Sequence, residues 1–268
     1  MSNRAAHPTP YPDVNALLRV LLSSARAILG NQFVGMYLFG SLACGDFDRD
    51  SDVDAVVVTD GDISDDLFSS LRAMHERVAT LDSPWATQLE VSYIPRHALR
   101  RFDPDCALHP HIDRGTGEGL RMTRHDADWV VQRHVLREKG VVLAGPSPRT
   151  LIDPVTPDDL RRAVLEVLRG WYAPMLDDPA ALQSRGYQSY TVLTMCRMLY
   201  TLQHGAVVSK PFAARWARET LDARWADLIE RALIGRQTPN SKAQPDDVDK
   251  SLDFIRYTLE RSRQFETP

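Results

Sequence analysis

Cysteine is scarce in this chain: Cys44, Cys106 and Cys196 are the only three among 268 residues, and they stand far apart. That spacing excludes a disulfide framework and a CxxC metal site, and reduced thiols are the expectation. No stretch approaches the ~18 continuous apolar residues needed to cross a bilayer. The N-terminal MSNRAAHPTPYPDV also lacks an apolar signal segment. Membrane spanning and secretion are therefore unsupported, and a cytoplasmic chain is expected. Positive charge is not in excess either, since 32 basic and 36 acidic side chains leave a net charge of −4. Without a broad cationic field to hold a phosphate backbone, nucleic acid is disfavoured as the main partner. Internal repeats and low-complexity tracts are absent as well. What remains is a globular composition, 43% hydrophobic and 25% charged, on a chain long enough for two modest domains.

Periodicity divides the chain in two. Residues 13–29 place Leu17, Leu18, Leu21, Leu22, Ala25, Ile28 and Leu29 at helical spacing before Gly30. The runs FVGMYLF (33–39), DVDAVVVT (52–59) and QLEVSYI (88–94) predict strands, with a helix between 64 and 81 started by Ser64, Asp65 and Asp66. GVVLA (140–144) predicts an edge or closing strand. From Thr156 onward the period is helical throughout, with predicted helices after Thr156-Pro157, over 187–203, 209–221 and 225–233, and around Val248 to Leu259. The expected fold is α+β: a small mixed-sheet domain over 1–150, followed by an all-α bundle over 151–268.

Five aspartates occupy alternate positions in GDFDRDSDVDAVVV, residues 45–58. A calcium loop beginning at Asp46 would need Gly at its sixth position and Glu at its twelfth, where this chain has Ser51 and Val57. Calcium is thus excluded by register. An acidic turn accounts for Asp46, Asp48 and Asp50, with Arg49 among them. Asp52 and Asp54 are different, because they open an apolar strand and residues two apart on a strand point the same way, roughly 7 Å apart. Two such carboxylates repel unless water solvates them or a cation bridges them, and all-oxygen ligands suit Mg²⁺. Gly40-Ser41 ends the preceding strand, where backbone N–H groups and a hydroxyl can approach a phosphate. Glu90 alternates with Leu89, Val91 and Tyr93, so if those face the core it faces the other side, where the Asp pair can also point. Spacing alone also allows a simple exposed polar residue there.

Gly40-Ser41, a spacer, and then Ser51-Asp52-Val53-Asp54 resemble the motif of the nucleotidyltransferases of the DNA polymerase β superfamily. LEVSYI and VLTMCRMLYTLQHGAVVSKPFAARW (192–216) narrow the resemblance to the aminoglycoside 3''/9-adenylyltransferases, over most of residues 30–235 and weakest around 100–135 and 170–190. The resemblance implies AMP transfer from ATP to a hydroxyl with release of pyrophosphate. It makes Asp52 and Asp54 Mg²⁺ ligands, and Glu90 the general base beside them in the metal set. Gly40, Ser41 and Ser51 become phosphate contacts. It assigns Lys210 to the ATP phosphates and adds Arg197, for which a salt bridge inside the bundle is the competing reading. ATP is then expected between the two domains. The partners implied are ATP and a small cationic acceptor of streptomycin or spectinomycin type, acted on by a monomer.

The acceptor side departs from the family. HPHIDRGTGEGLRMTRHD (109–126) lacks the expected tryptophan, Tyr187 stands where an acid is expected, and Tyr190 where the family has histidine. Asp177 and Asp178 are the nearest acids. A protein or RNA acceptor and a non-catalytic ATP-binding regulator are the alternatives, although an intact Asp52, Asp54 and Glu90 is more than a binding module needs. His109 and His111 flank a proline and are expected to be loop histidines. Trp171, Trp216, Trp225, Met175, Met195 and Met198 are expected in the bundle core.

Overall fold

The structure, a computed structural model, describes residues 8–48, 51–113, 119–239 and 241–266. Arg49 and Asp50 of the acidic run lie outside the described residues. The chain divides into two compact units, Met1–Pro154 and Val155–Pro268.

In the first unit the elements run α1 (Pro12–Leu29), β1 (Phe33–Leu38), α2 (Gly40–Cys44), β2 (Val53–Thr59), α3 (Asp65–Ala79), β3 (Leu89–Pro95), α4 (Arg96–Arg100), β4 (Leu108–Ile112), β5 (Arg121–Arg124), α5 (Asp128–Lys139), β6 (Val141–Ala144) and α6 (Pro148–Leu151). The strands form one mixed sheet in the order β5-β4-β3-β2-β1-β6. Among the described residues only β2 and β3 pair in parallel, joined by α3 as crossover helix. The apolar stripes of α1 (Leu17, Leu18, Leu21) and α3 (Leu71, Met74, Val78) pack against Val53, Ala55 and Val57 of β2 and Leu89, Val91 and Tyr93 of β3. Strand alternation therefore sends Asp54, Glu90 and Ser92 to the opposite face.

The predicted strands and helices of this unit are present with ends shifted by a residue or two, and GVVLA is the edge strand β6, antiparallel to β1. The histidine expectation is corrected. His109 and His111 lie on β4 and are 3% and 9% exposed, because β3 and β5 flank that strand. Ser92 Oγ is 2.8 Å from His111 Nδ1 and 3.3 Å from His125 Nε2, and the His125 ring stacks on Trp129 at 3.9 Å. Burial drives the His109 pKa down to about 4 and that of His125 to about 2, so both are neutral imidazoles.

The second unit contains α7 (Pro157–Val167), α8 (Arg185–His204), α9 (Lys210–Thr220), α10 (Ala226–Gly235) and α11 (Pro245–Ser262). α7 opens with a capping box between Thr156 and Asp159, and α8 closes on left-handed Gly205. Asp247 of α11 joins Arg185 of α8 at 2.8 Å and Arg231 of α10 at 2.7 Å, so one buried carboxylate ties three helices. Met195, Met198 and Trp225 are core residues as expected, but Trp171 is 43% exposed. It belongs to a π-helical turn, residues 168–172, in which Tyr172 takes the inward position. Among the described residues, no helix is long and apolar enough to cross a membrane.

Candidate active site

Glycine and aspartate meet at the end of the sheet. Gly40 opens α2 with φ +58°, a left-handed conformation that disfavours any side chain. A Cβ at this position would fall inside the Asp54 carboxylate. The Phe39 N–H donates to the Asp54 carbonyl at 3.2 Å, which fixes the Gly40-Ser41 step against β2. The sequence therefore supplies the one residue type that lets the turn approach this carboxylate.

Asp54 and Glu90 are direct register partners on parallel β2 and β3, so their side chains emerge side by side. Asp52 enters one residue before β2, two positions from Asp54 and on the same side. The three carboxylates, all half-buried, each bring an oxygen within 4.8 Å of the other two. Three negative groups at that separation are costly unless counter-charge gathers them, and a divalent cation with hard oxygen ligands does so in a single contact. Ser41 adds a second observation: its Oγ is buried with no hydrogen-bond partner among the described residues. The donor set thus fits a hard divalent ion beside an anionic group.

Ser51, for which the resemblance implies a phosphate contact, also closes a turn. It is 5% exposed, its Oγ donates to Asp48 Oδ1 at 2.8 Å, and it accepts from the Asp48 N–H at 3.0 Å. Its hydroxyl thereby closes the turn that delivers Asp52. Asp48, exposed at the surface, is accordingly part of that closure as well as of the acidic turn.

Lys210 and Arg197 both lie in the second unit. Lys210 is the first residue of α9, following the Ser209 N-cap, and its Nζ sits 4.2 Å from the centroid of the Tyr190 ring. Arg197 stands seven residues after Tyr190 on α8, on the same face about 10 Å further along the axis. Arg197 is half-buried there. Asp177 and Asp178 are both exposed, and Asp178 accepts the Ala180 N–H at 3.2 Å, so neither is a buried acid for a cationic acceptor.

Sequence reasoning missed Tyr190 as a partner of Lys210, since twenty residues separate them and only the packing of α8 on α9 joins them. It also missed β4, β5 and α5, whose composition is rich in His, Arg and Pro rather than in β-formers. The HPH alternation on β4 was the available signal.

Comparison with known proteins agrees with this geometry. A family model described as Nucleotidyltransferase domain matches residues 22–102, and one described as Aminoglycoside adenylyltransferase, C-terminal domain, matches residues 150–261. A Spectinomycin 9-adenylyltransferase of Staphylococcus aureus is 26% identical over 227 residues, covering 80% of this chain and 82% of that protein. An Aminoglycoside (3'') (9) adenylyltransferase of Escherichia coli is 30% identical over 134 residues, 49% of this chain and 48% of that protein. The spectinomycin adenyltransferase AAD(9) from Enterococcus faecialis, solved with ATP and spectinomycin, shares the fold with a TM-score of 0.70 at 16% identity, over 91% of this chain and 98% of that one. A mixed sheet carrying a carboxylate triad, followed by a helical unit, defines the class: a nucleotidyltransferase. More narrowly, the chain is an aminoglycoside 3''/9-adenylyltransferase-like nucleotidyltransferase.

Proposed function

We propose that this chain transfers AMP from MgATP to a hydroxyl of a small cationic aminocyclitol or aminoglycoside, of spectinomycin or streptomycin type, with release of pyrophosphate. The observation that carries this is the convergence of Asp52, Asp54 and Glu90 within 4.8 Å beside Gly40. In this reading Asp52 and Asp54 hold Mg²⁺, with Glu90 completing the set. The ion, when bound, neutralises charge on the triphosphate oxygens. Gly40 and Ser41 orient the phosphates, and the orphaned Ser41 hydroxyl gains a partner there. Glu90 takes the proton of the acceptor hydroxyl as its oxygen attacks the α-phosphorus and the bond to pyrophosphate breaks. Arg197 and Lys210 of the helical domain bind phosphate oxygens. Residues 1–150 then carry the chemistry and 151–268 contribute to nucleotide and acceptor binding, in a cytoplasmic monomer.

The test is release of pyrophosphate from the purified chain with MgATP and a panel containing spectinomycin and streptomycin. Acceptor-dependent release with one AMP added per acceptor is the expected result. A chain that binds MgATP yet releases no pyrophosphate with any panel member would refute the antibiotic reading.

A further inference from the structure

Lysine is a poor choice for the first position of a helix, because its charge adds to the positive end of the helix dipole. At Lys210 that cost is met by an aromatic face: the ammonium lies 4.2 Å from the centroid of Tyr190. The ring is 42% exposed, yet it is braced from behind. Tyr172, only 2% exposed, lies beside Tyr190, close enough for the two phenols to interact, and the Tyr187 ring leans on Tyr190 with centroids 5.9 Å apart. A buried phenol anchored in the π-helical turn therefore steadies an exposed ring, and that ring steadies a flexible ammonium. Tyr190, Thr194 and Arg197 fall at i, i+4 and i+7 on α8, so the braced lysine and the Arg197 guanidinium share one helix face.

We infer that Tyr190 is a positioning residue for the Lys210 ammonium, fixing its place for the triphosphate of ATP. The inference rests on the nucleotide-binding role given to Lys210 above. Its chemistry is specific: the π-face supplies attraction without a formal negative charge. A carboxylate in the same place would hold the lysine but repel the phosphates it has to receive. An aromatic ring limits the motion of the four-carbon side chain without itself adding a negative charge beside the ammonium.

The experiment is calorimetric titration of the full chain with a non-hydrolysable ATP analogue and Mg²⁺, comparing wild type, Tyr190→Phe, Tyr190→Leu, Lys210→Met and the Tyr190→Leu/Lys210→Met double variant. Thermal midpoints are recorded alongside. Tyr190→Phe keeps the face and retains affinity to within about twofold, whereas Tyr190→Leu weakens binding by roughly threefold to tenfold. In the Lys210→Met background the Tyr190→Leu change adds nothing, because its effect passes through the ammonium. A merely structural tyrosine would give the same loss in both backgrounds, and that result overturns the proposal. So does Tyr190→Leu binding as tightly as wild type, which leaves the nucleotide reading intact. If the wild-type chain takes up no analogue at all, the nucleotide reading and this proposal fall together.

Discussion

Asp54 is held from three directions by parts of the chain that are distant in sequence. Its carbonyl accepts from Phe39, its carboxylate fills the space a Gly40 side chain would need, and its ladder partner is Glu90. Gly40→Ala should therefore fail twice, once through a φ of +58° that L-residues resist at a cost of about 1–2 kcal/mol, and again through displacement of the Asp54 carboxylate. The expected outcome is loss of pyrophosphate release by at least about a hundredfold, with the folded circular-dichroism spectrum retained. Preserved turnover in Gly40→Ala would show that the turn does not need to touch Asp54. Asp54→Asn keeps the shape and removes the charge. Its expected result is a comparable loss of turnover with nearly unchanged thermal stability, since removing one of three crowded carboxylates relieves repulsion when no ion is bound. Unchanged rates in Asp54→Asn at saturating Mg²⁺ would refute its assignment as a ligand.

Among the secondary-structure elements, caps and buried charge separate local from tertiary causes. Thr156 closes a capping box on α7, and Thr156→Ala should cost about 1 kcal/mol of stability, read as a lower urea midpoint. Asp247 is another matter, because its removal strands Arg185 and Arg231 among three helices. Asp247→Ala should cost about 3 kcal/mol, well above the capping variant. Equal costs for the two would mean that the carboxylate is not the tie it resembles. The same contrast explains which elements were legible in the sequence. Thr156-Pro157 and Ser209 before Lys210 announce helix starts because a cap is written in consecutive residues. The strand carrying Asp54 was legible through the apolar run 55–58, and the alternation around Glu90 both announced its strand and placed it on the correct face. β4 and β5 were not, since LHPHI and RMTR form strands only because β3 offers them a ladder. At the site, the bond from the Ser51 hydroxyl to Asp48 was not legible, because it is a matter of turn geometry. The link from Tyr190 to Lys210 depends on helix packing, which no local pattern encodes.

For the molecule as a whole, buried ionisable groups fall unevenly between the two units, and that sets its response to acid. The first unit holds His75 at about 4, His109 at about 4 and His125 at about 2, all lowered by burial from an ordinary value near 6.5. A histidine with a lowered folded pKa takes up its proton more readily in the unfolded chain, so stability falls as pH drops below 6.5 and continues to fall toward the folded values. Asp128 works the other way. Burial raises it to about 7, so the folded chain keeps a proton that the unfolded chain releases, and stability rises as pH falls from 7 toward 4. These three histidines, with His111 lowered by burial as well, outweigh the one carboxyl and leave a net uptake of at least about two protons on unfolding near pH 5. The second unit has His204, exposed at the end of α8, and no comparable buried set among its described residues. Acid should therefore open the sheet-bearing unit first. Hydrogen exchange between pH 7.5 and 5 is expected to show protection lost in β3, β4 and α5 while α8 and α11 stay protected. His125→Phe, which keeps an aromatic ring against Trp129, should flatten the pH dependence by about one proton. A chain whose urea midpoint is the same at pH 5 and pH 7.5, or whose helical unit opens first, would contradict burial of those imidazoles as the source of acid sensitivity.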